Sequence, residues 1–100
     1  MSRTERPLEF VQRWYLEQCD GEWEHEFGVT IGNIDNPGWS IAIDLAGTPL
    51  EGRLLEYAIS RDDQPEWVHC WSDGTKFQAA TGPLGLTEAL NQFRFFALTA

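Results

Sequence analysis

Carboxylates at alternate positions crowd one short segment, Cys19-Asp20-Gly21-Glu22-Trp23-Glu24-His25-Glu26. Acids in that pattern suggest metal ligation, general acid/base work or an anionic face for a partner. Asp20, Glu22 and Glu24 resemble the first three ligands of a calcium loop. That loop also needs Gly at its sixth position and Glu at its twelfth, and here those are His25 and Ile31. Cys19, His25, His69 and Cys70 have the composition of a zinc site, but no pair has the spacing of about two to four residues usual in structural sites. Cys70 adjoins His69, yet neighbours on a strand point to opposite faces and make no nucleophile–base pair. Cys19 falls at the C-terminus of an expected helix, where the dipole disfavours a thiolate. Both cysteines read as small packing residues. His69 reads as a sheet-face polar residue with a hydrogen-bond partner, and His25, between Trp23 and Phe27, as an inward, satisfied histidine. Gly82 and Gly85 match neither nucleotide-loop fingerprint. Acid pairs are too common in so anionic a chain to single out an acid/base couple. The expectation is therefore no catalytic residue, no metal and no cofactor. What remains for the acids is a solvated face or a stripe that meets a partner.

The elements that must position these residues follow from apolar periodicity. Leu8, Val11, Trp14, Tyr15 and Gln18–Cys19 recur at three- and four-residue spacing, one face of a helix from about Pro7 to Cys19. Pro7 suits its first turn. Gly21, free to take positive φ, stops it. Trp23, His25, Phe27, Val29 and Ile31 then alternate with Glu22, Glu24, Glu26 and Thr30, which predicts a first strand with its carboxylates on one face. Asn36-Pro37-Gly38 marks a turn in which Pro sets the first central φ and Gly supplies a positive one. A second strand runs Trp39–Leu45 and pairs with the first as a hairpin. A third covers Leu54–Ile59, with Leu55, Tyr57 and Ile59 on one face. Trp67–Trp71 and Lys76–Ala80 are the fourth and fifth, joined by the tight turn Ser72-Asp73-Gly74-Thr75. Leu86, Ala89, Leu90, Phe93 and Phe96–Ala97 predict a closing helix over Leu86–Leu98. The fold class is α+β: an N-terminal helix, an antiparallel sheet of four to five strands in a meander, and a C-terminal helix. Both helices lie on one face of the sheet. Residues 1–100 read as one domain. Trp14 belongs to the core; Trp39, Trp67 and Trp71 read as core or as interface anchors.

Charge narrows the partners. The 100 residues carry 16 acids against 7 Lys and Arg, a formal charge of −9. Such a chain repels phosphate backbones and anionic membranes, so neither nucleic acid nor membrane is an expected partner. No apolar run approaches the roughly 18 residues of a spanning helix, and the first residues lack the apolar stretch of a secretory signal. Two cysteines are too few for a disulfide scaffold. The expected location is the cytoplasm. Excess acid favours a basic protein partner found by long-range attraction, or simply solubility.

The run from Trp14 to Gly28 resembles the opening of the bacterial immunity protein 53 family. Ile34-Asp35-Asn36-Pro37-Gly38-Trp39-Ser40, then Ile43-Asp44-Leu45 and Thr48-Pro49-Leu50, are similar to that family too, as are Gly82-Pro83 and Leu86, Leu90 and Phe93 at the close. The resemblance implies an antidote of a polymorphic toxin system, made in the cytoplasm, that binds a cognate toxin domain and blocks it. It carries over no catalytic residues. A nuclease toxin needs a basic substrate groove, which a carboxylate stripe at Asp20, Glu22, Glu24 and Glu26, with Asp35 and Trp39 nearby, could occupy. The bare sheet face is the second choice of surface. Two other functions stand beside this one: a small-ligand or enzymatic domain using a pocket near Cys19 and His25, and a structural subunit. An open sheet face leaves a homodimer open as well.

Overall fold

A computed structural model of the chain describes residues 5–99. Helix α1 spans Pro7–Gln18, with Pro7 in its first turn and the Glu9 carboxylate accepting the Arg6 backbone N–H at 3.0 Å. Its inward residues are Phe10, Val11 and Trp14. Leu8 and Tyr15, expected on that face, are exposed; the buried stripe is turned toward Phe10, which meets the ring of Phe93 on the last helix. That last helix, Leu86–Leu98, buries Ala89, Leu90, Phe93 and Phe96, the spacing the sequence predicts.

Between the long helices lie a one-turn helix α2 (Trp23–Glu26) and strands β1 (Val29–Ile34), β2 (Gly38–Asp44), β3 (Leu54–Arg61), β4 (Val68–Asp73) and β5 (Lys76–Thr81); the closing helix is α3. All neighbouring strands are antiparallel, in one open sheet of order β1-β2-β5-β4-β3. The α+β architecture is as expected. The strands are not laid side by side in chain order, however. After β2 the chain crosses to the far edge to form β3, then returns through β4 to β5, which closes against β2. Nothing local in the sequence encodes that choice, because β2–β5 pairing is a long-range contact.

Ile41, Ile43, Val68, Cys70, Phe77, Ala79 and Thr81 turn one face of the sheet toward the helices and are buried there. Phe93 stands where the layers meet, its ring 5.1 Å from Trp14 and 5.3 Å from Phe77 between centroids. Thr75 N–H, Thr75 hydroxyl and Lys76 N–H all donate to the Asp73 carboxylate, closing the β4–β5 turn around Gly74 at φ +92°.

The facing of β3 and the backbone of Gly38 differ from expectation. The alternation of Leu55, Tyr57 and Ile59 breaks at register shifts between Leu55 and Ala58 and between Ile59 and Arg61. Leu55 and Ala58 therefore both pack on the core, while Tyr57 and Ile59 are exposed; a bulge adds one residue and reverses the facing beyond it. Gly38 does not take positive φ. A Cβ there would sit 1.9 Å from the carbonyl oxygen of Thr81, so the close approach of β2 to β5 is what requires glycine.

Candidate functional site

The acidic segment is not a strand. The Asp20 carboxylate accepts the backbone N–H groups of Glu22 and Trp23, both at 3.0 Å. Glu24 reaches back to accept the N–H groups of Asp20 and Gly21, at 3.0 and 2.9 Å. These reciprocal bonds supply the backbone with local partners that a strand would have to replace, and the chain turns into α2. The apolar alternation that predicts a strand from Trp23 is overridden. Trp23 is buried, donates its indole N–H to Ala46 O at 2.8 Å, and packs its ring against Trp14, Tyr15 and Phe27. It pins the turn to the core.

The predicted stripe is consequently split. Asp20 and Glu24 are bound to backbone. Amides of Trp23 and Glu22 hold the Asp20 carboxyl below its ordinary range. Backbone N–H groups, its own first and then those of Asp20 and Gly21, do the same for Glu24. Both stay ionised as anions of the turn. Glu22 and Glu26 lie four residues apart on a helical turn, hence on one side of it, exposed and, among the described residues, with no hydrogen bond or ion pair to their side chains. Asp35, also exposed, is in the β1–β2 turn, and Trp39 follows it on β2, donating its indole N–H to Pro83 O at 3.1 Å. Those two are at the opposite end of β1 from Glu26, roughly 17–20 Å away for a six-residue strand. The six residues thus form two anionic ends joined by β1, not one cluster.

The remaining charges add to that field. Arg13 pairs with Glu5 and Glu17, Arg61 with Asp63 and Glu66, and Lys76 with Asp44. Arg53 donates to the carbonyls of Phe96 and Thr99 at the end of α3, and Arg94 to Glu5 O. Five of the six described cations are thus engaged inside the molecule, with Arg6 exposed at the start of α1, whereas among the described residues the side chains of Glu22, Glu26, Asp35, Glu56 and Asp62 accept no hydrogen bond.

A second surface was only partly legible. On the sheet face away from the helices, Tyr57 stacks on Trp71, with centroids 5.3 Å apart at 23°, and its hydroxyl bonds His69 Nδ1. Trp67 adds its ring 5.1 Å from His69. His69 has the partner expected of it. Trp39, Trp67 and Trp71 are half-buried rather than core. The bulge in β3 delivers Tyr57 to this cluster, and no sequence pattern announces a bulge.

The residues considered for chemistry do not converge. His69 lies on the open face and buried Cys70 on the helix face, and burial pushes the Cys70 thiol up. Cys19 caps α1 with its sulfur 3.3 Å from Tyr15 O. His25 is exposed on α2 rather than turned inward as expected. The groove beside them, between α1 and β1, is lined by Leu8, Val11, Tyr15, Phe27 and Ile31 among others, and by neither Cys19 nor His25. Among the described residues no three His, Cys, Asp or Glu side chains gather as metal ligands, and no helix is long and apolar enough to cross a membrane.

Residues 8–97 match the family model described as immunity protein 53. The chain belongs to that family. Membership gives it an immunity role and a toxin as its partner. No curated protein and no solved structure matched the chain. Every candidate residue from Asp20 to Trp39 lies inside the family match. Residues of the motifs that carry the resemblance hold the fold: Trp14 and Trp23 fill the core, Asp20 and Glu24 close a turn, and Gly38 lets two strands approach.

Proposed function

We propose that this immunity protein works in the cytoplasm by binding its cognate toxin domain one-to-one and covering a positively charged working surface, without making or breaking a covalent bond. The observation that carries the reading is the imbalance on the surface: five of the six described cations are engaged internally, while Glu22, Glu26 and Asp35 stand exposed with side chains unpaired among the described residues. Unpaired surface charge of one sign steers a partner of the other and sets register on contact. Asp20 and Glu24 deepen the negative potential of the same turn, and Trp39 stands at the far end with Asp35. A toxin that acts on nucleic acid would present the basic groove this surface suits.

Charge reversal tests it. Glu22→Lys, Glu26→Lys and Asp35→Lys combined replace side chains that hold nothing, so the fold should persist by circular dichroism. Affinity for the toxin domain encoded by the neighbouring gene should fall on the order of 100-fold, with loss of growth protection. Undiminished protection would move the toxin-facing surface elsewhere. The aromatic cluster of Tyr57, Trp67, His69 and Trp71 favours a second reading, in which the open sheet face meets the toxin. Tyr57→Ala with Trp71→Ala would then be the damaging pair.

A further inference from the structure

The two edges of the sheet are built differently. The β3 edge carries two register irregularities and the charges of Glu56 and Arg61, devices that keep an edge from pairing with another chain. The β1 edge, Val-Thr-Ile-Gly-Asn-Ile, has no charge, no proline and six consecutive regular pairs with β2. Asp44 N–H donates to Gly28 O at 3.0 Å. By the alternation of an antiparallel ladder, Thr30, Gly32 and Ile34 also direct their backbone groups to β2. The N–H and C=O groups of Val29, Ile31 and Asn33 therefore point away from the sheet, and among the described residues they have no partner.

Beside this edge runs the groove of about 410 Å³ between α1 and β1, with Leu8, Val11, Tyr15, Phe27, Val29 and Ile31 along it. Side chains at alternate positions of an added strand would fall into that groove. Anionic residues stand at both ends of the edge, Glu22 and Glu26 at one and Asp35 at the other. We propose that an extended segment of the toxin adds to β1 as a sixth strand, with apolar side chains at alternate positions in the groove and Lys or Arg at each end. This rests on the toxin-binding reading above and names its docking mode. Backbone bonds would give affinity and the groove and end charges specificity. A second copy of this chain fits less well. Antiparallel edge pairing would set Glu26 against the partner copy's Asp35 end, parallel pairing would set like turns together, and each copy brings a charge of −9.

Ile31 is 38% exposed and its N–H faces away from β2, so Ile31→Pro removes an outward donor while leaving the β1–β2 ladder intact. Ile31→Lys keeps the donor and fills the groove mouth with charge, and serves if the proline variant unfolds. With the toxin domain encoded by the neighbouring gene as probe, either variant should bind on the order of 100-fold more weakly. Thr30→Lys, on the opposite face, should stay within about threefold of the wild type. Hydrogen exchange at Val29, Ile31 and Asn33 should slow in the complex. Wild-type binding that Ile31→Lys does not weaken, with no added protection at these amides, overturns strand addition and leaves toxin binding standing. Absence of binding by the wild type overturns both. Concentration-dependent protection of the same amides in the chain alone makes a second copy the occupant and overturns the proposal.

Discussion

Phe93→Ala lowers the melting temperature by roughly 15–30 °C, while Phe95→Ala, two residues on, leaves it within a few degrees. Phe93 is fully buried and its ring meets Phe10, Trp14, Phe77 and Phe96, with centroids 5.1 to 6.3 Å away. Its ring touches α1, β5 and its own helix at once. Truncation removes the transfer free energy of a benzyl group and leaves a cavity bounded by rigid rings that cannot collapse, a cost of about 3–5 kcal/mol. Domains of this size are stable by about 5–15 kcal/mol, so the loss is a large share of the whole. Phe95 is 59% exposed, and its removal uncovers little. Thermal melts of the two variants side by side check the claim. Equal losses would mean that the core is not centred on Phe93.

Gly38→Ala is expected to be nearly as damaging, on the order of 3 kcal/mol, although it adds one methyl group. That methyl would lie 1.9 Å from Thr81 O and 3.3 Å from an Ile34 side-chain methyl. The first of these is backbone, so β2 and β5 must part where they join the two halves of the sheet. Gly32→Ala in β1 is the control. Its Cβ would meet only the Ser40 hydroxyl at 3.9 Å, and the change should be near neutral because alanine also suits an extended backbone better than glycine. Urea midpoints for both variants decide the point. A neutral Gly38→Ala would show that the β2–β5 approach is looser than described.

The helices were the most legible part of the fold. In α3 the apolar positions hold a 3.6-residue period undisturbed from Leu86 to Ala97, and burial follows it. In α1 the same rule found the helix but not its rotation, since Leu8, Phe10, Val11 and Tyr15 are apolar on more than one side. The start of β1 is hidden in the sequence because Trp23, His25 and Phe27 alternate like a strand, while the side chains of Asp20 and Glu24 offer the backbone closer partners. The facing of β3 was lost at its bulges. For the candidate site, the anionic character of Glu22, Glu26 and Asp35 was visible in composition. Their separation along β1 depends on where the strand begins and was not. The free backbone edge depends on sheet order, which is set by contacts distant in sequence.

On the proposed reading this chain occupies a toxin surface and turns nothing over. The most direct measurement is the activity of a fixed amount of purified toxin domain titrated with this chain. A linear fall that ends at one chain per toxin is expected, with both proteins recovered together and chemically unaltered. Full inactivation at a small fraction of one equivalent, or activity undiminished in excess chain, would contradict it.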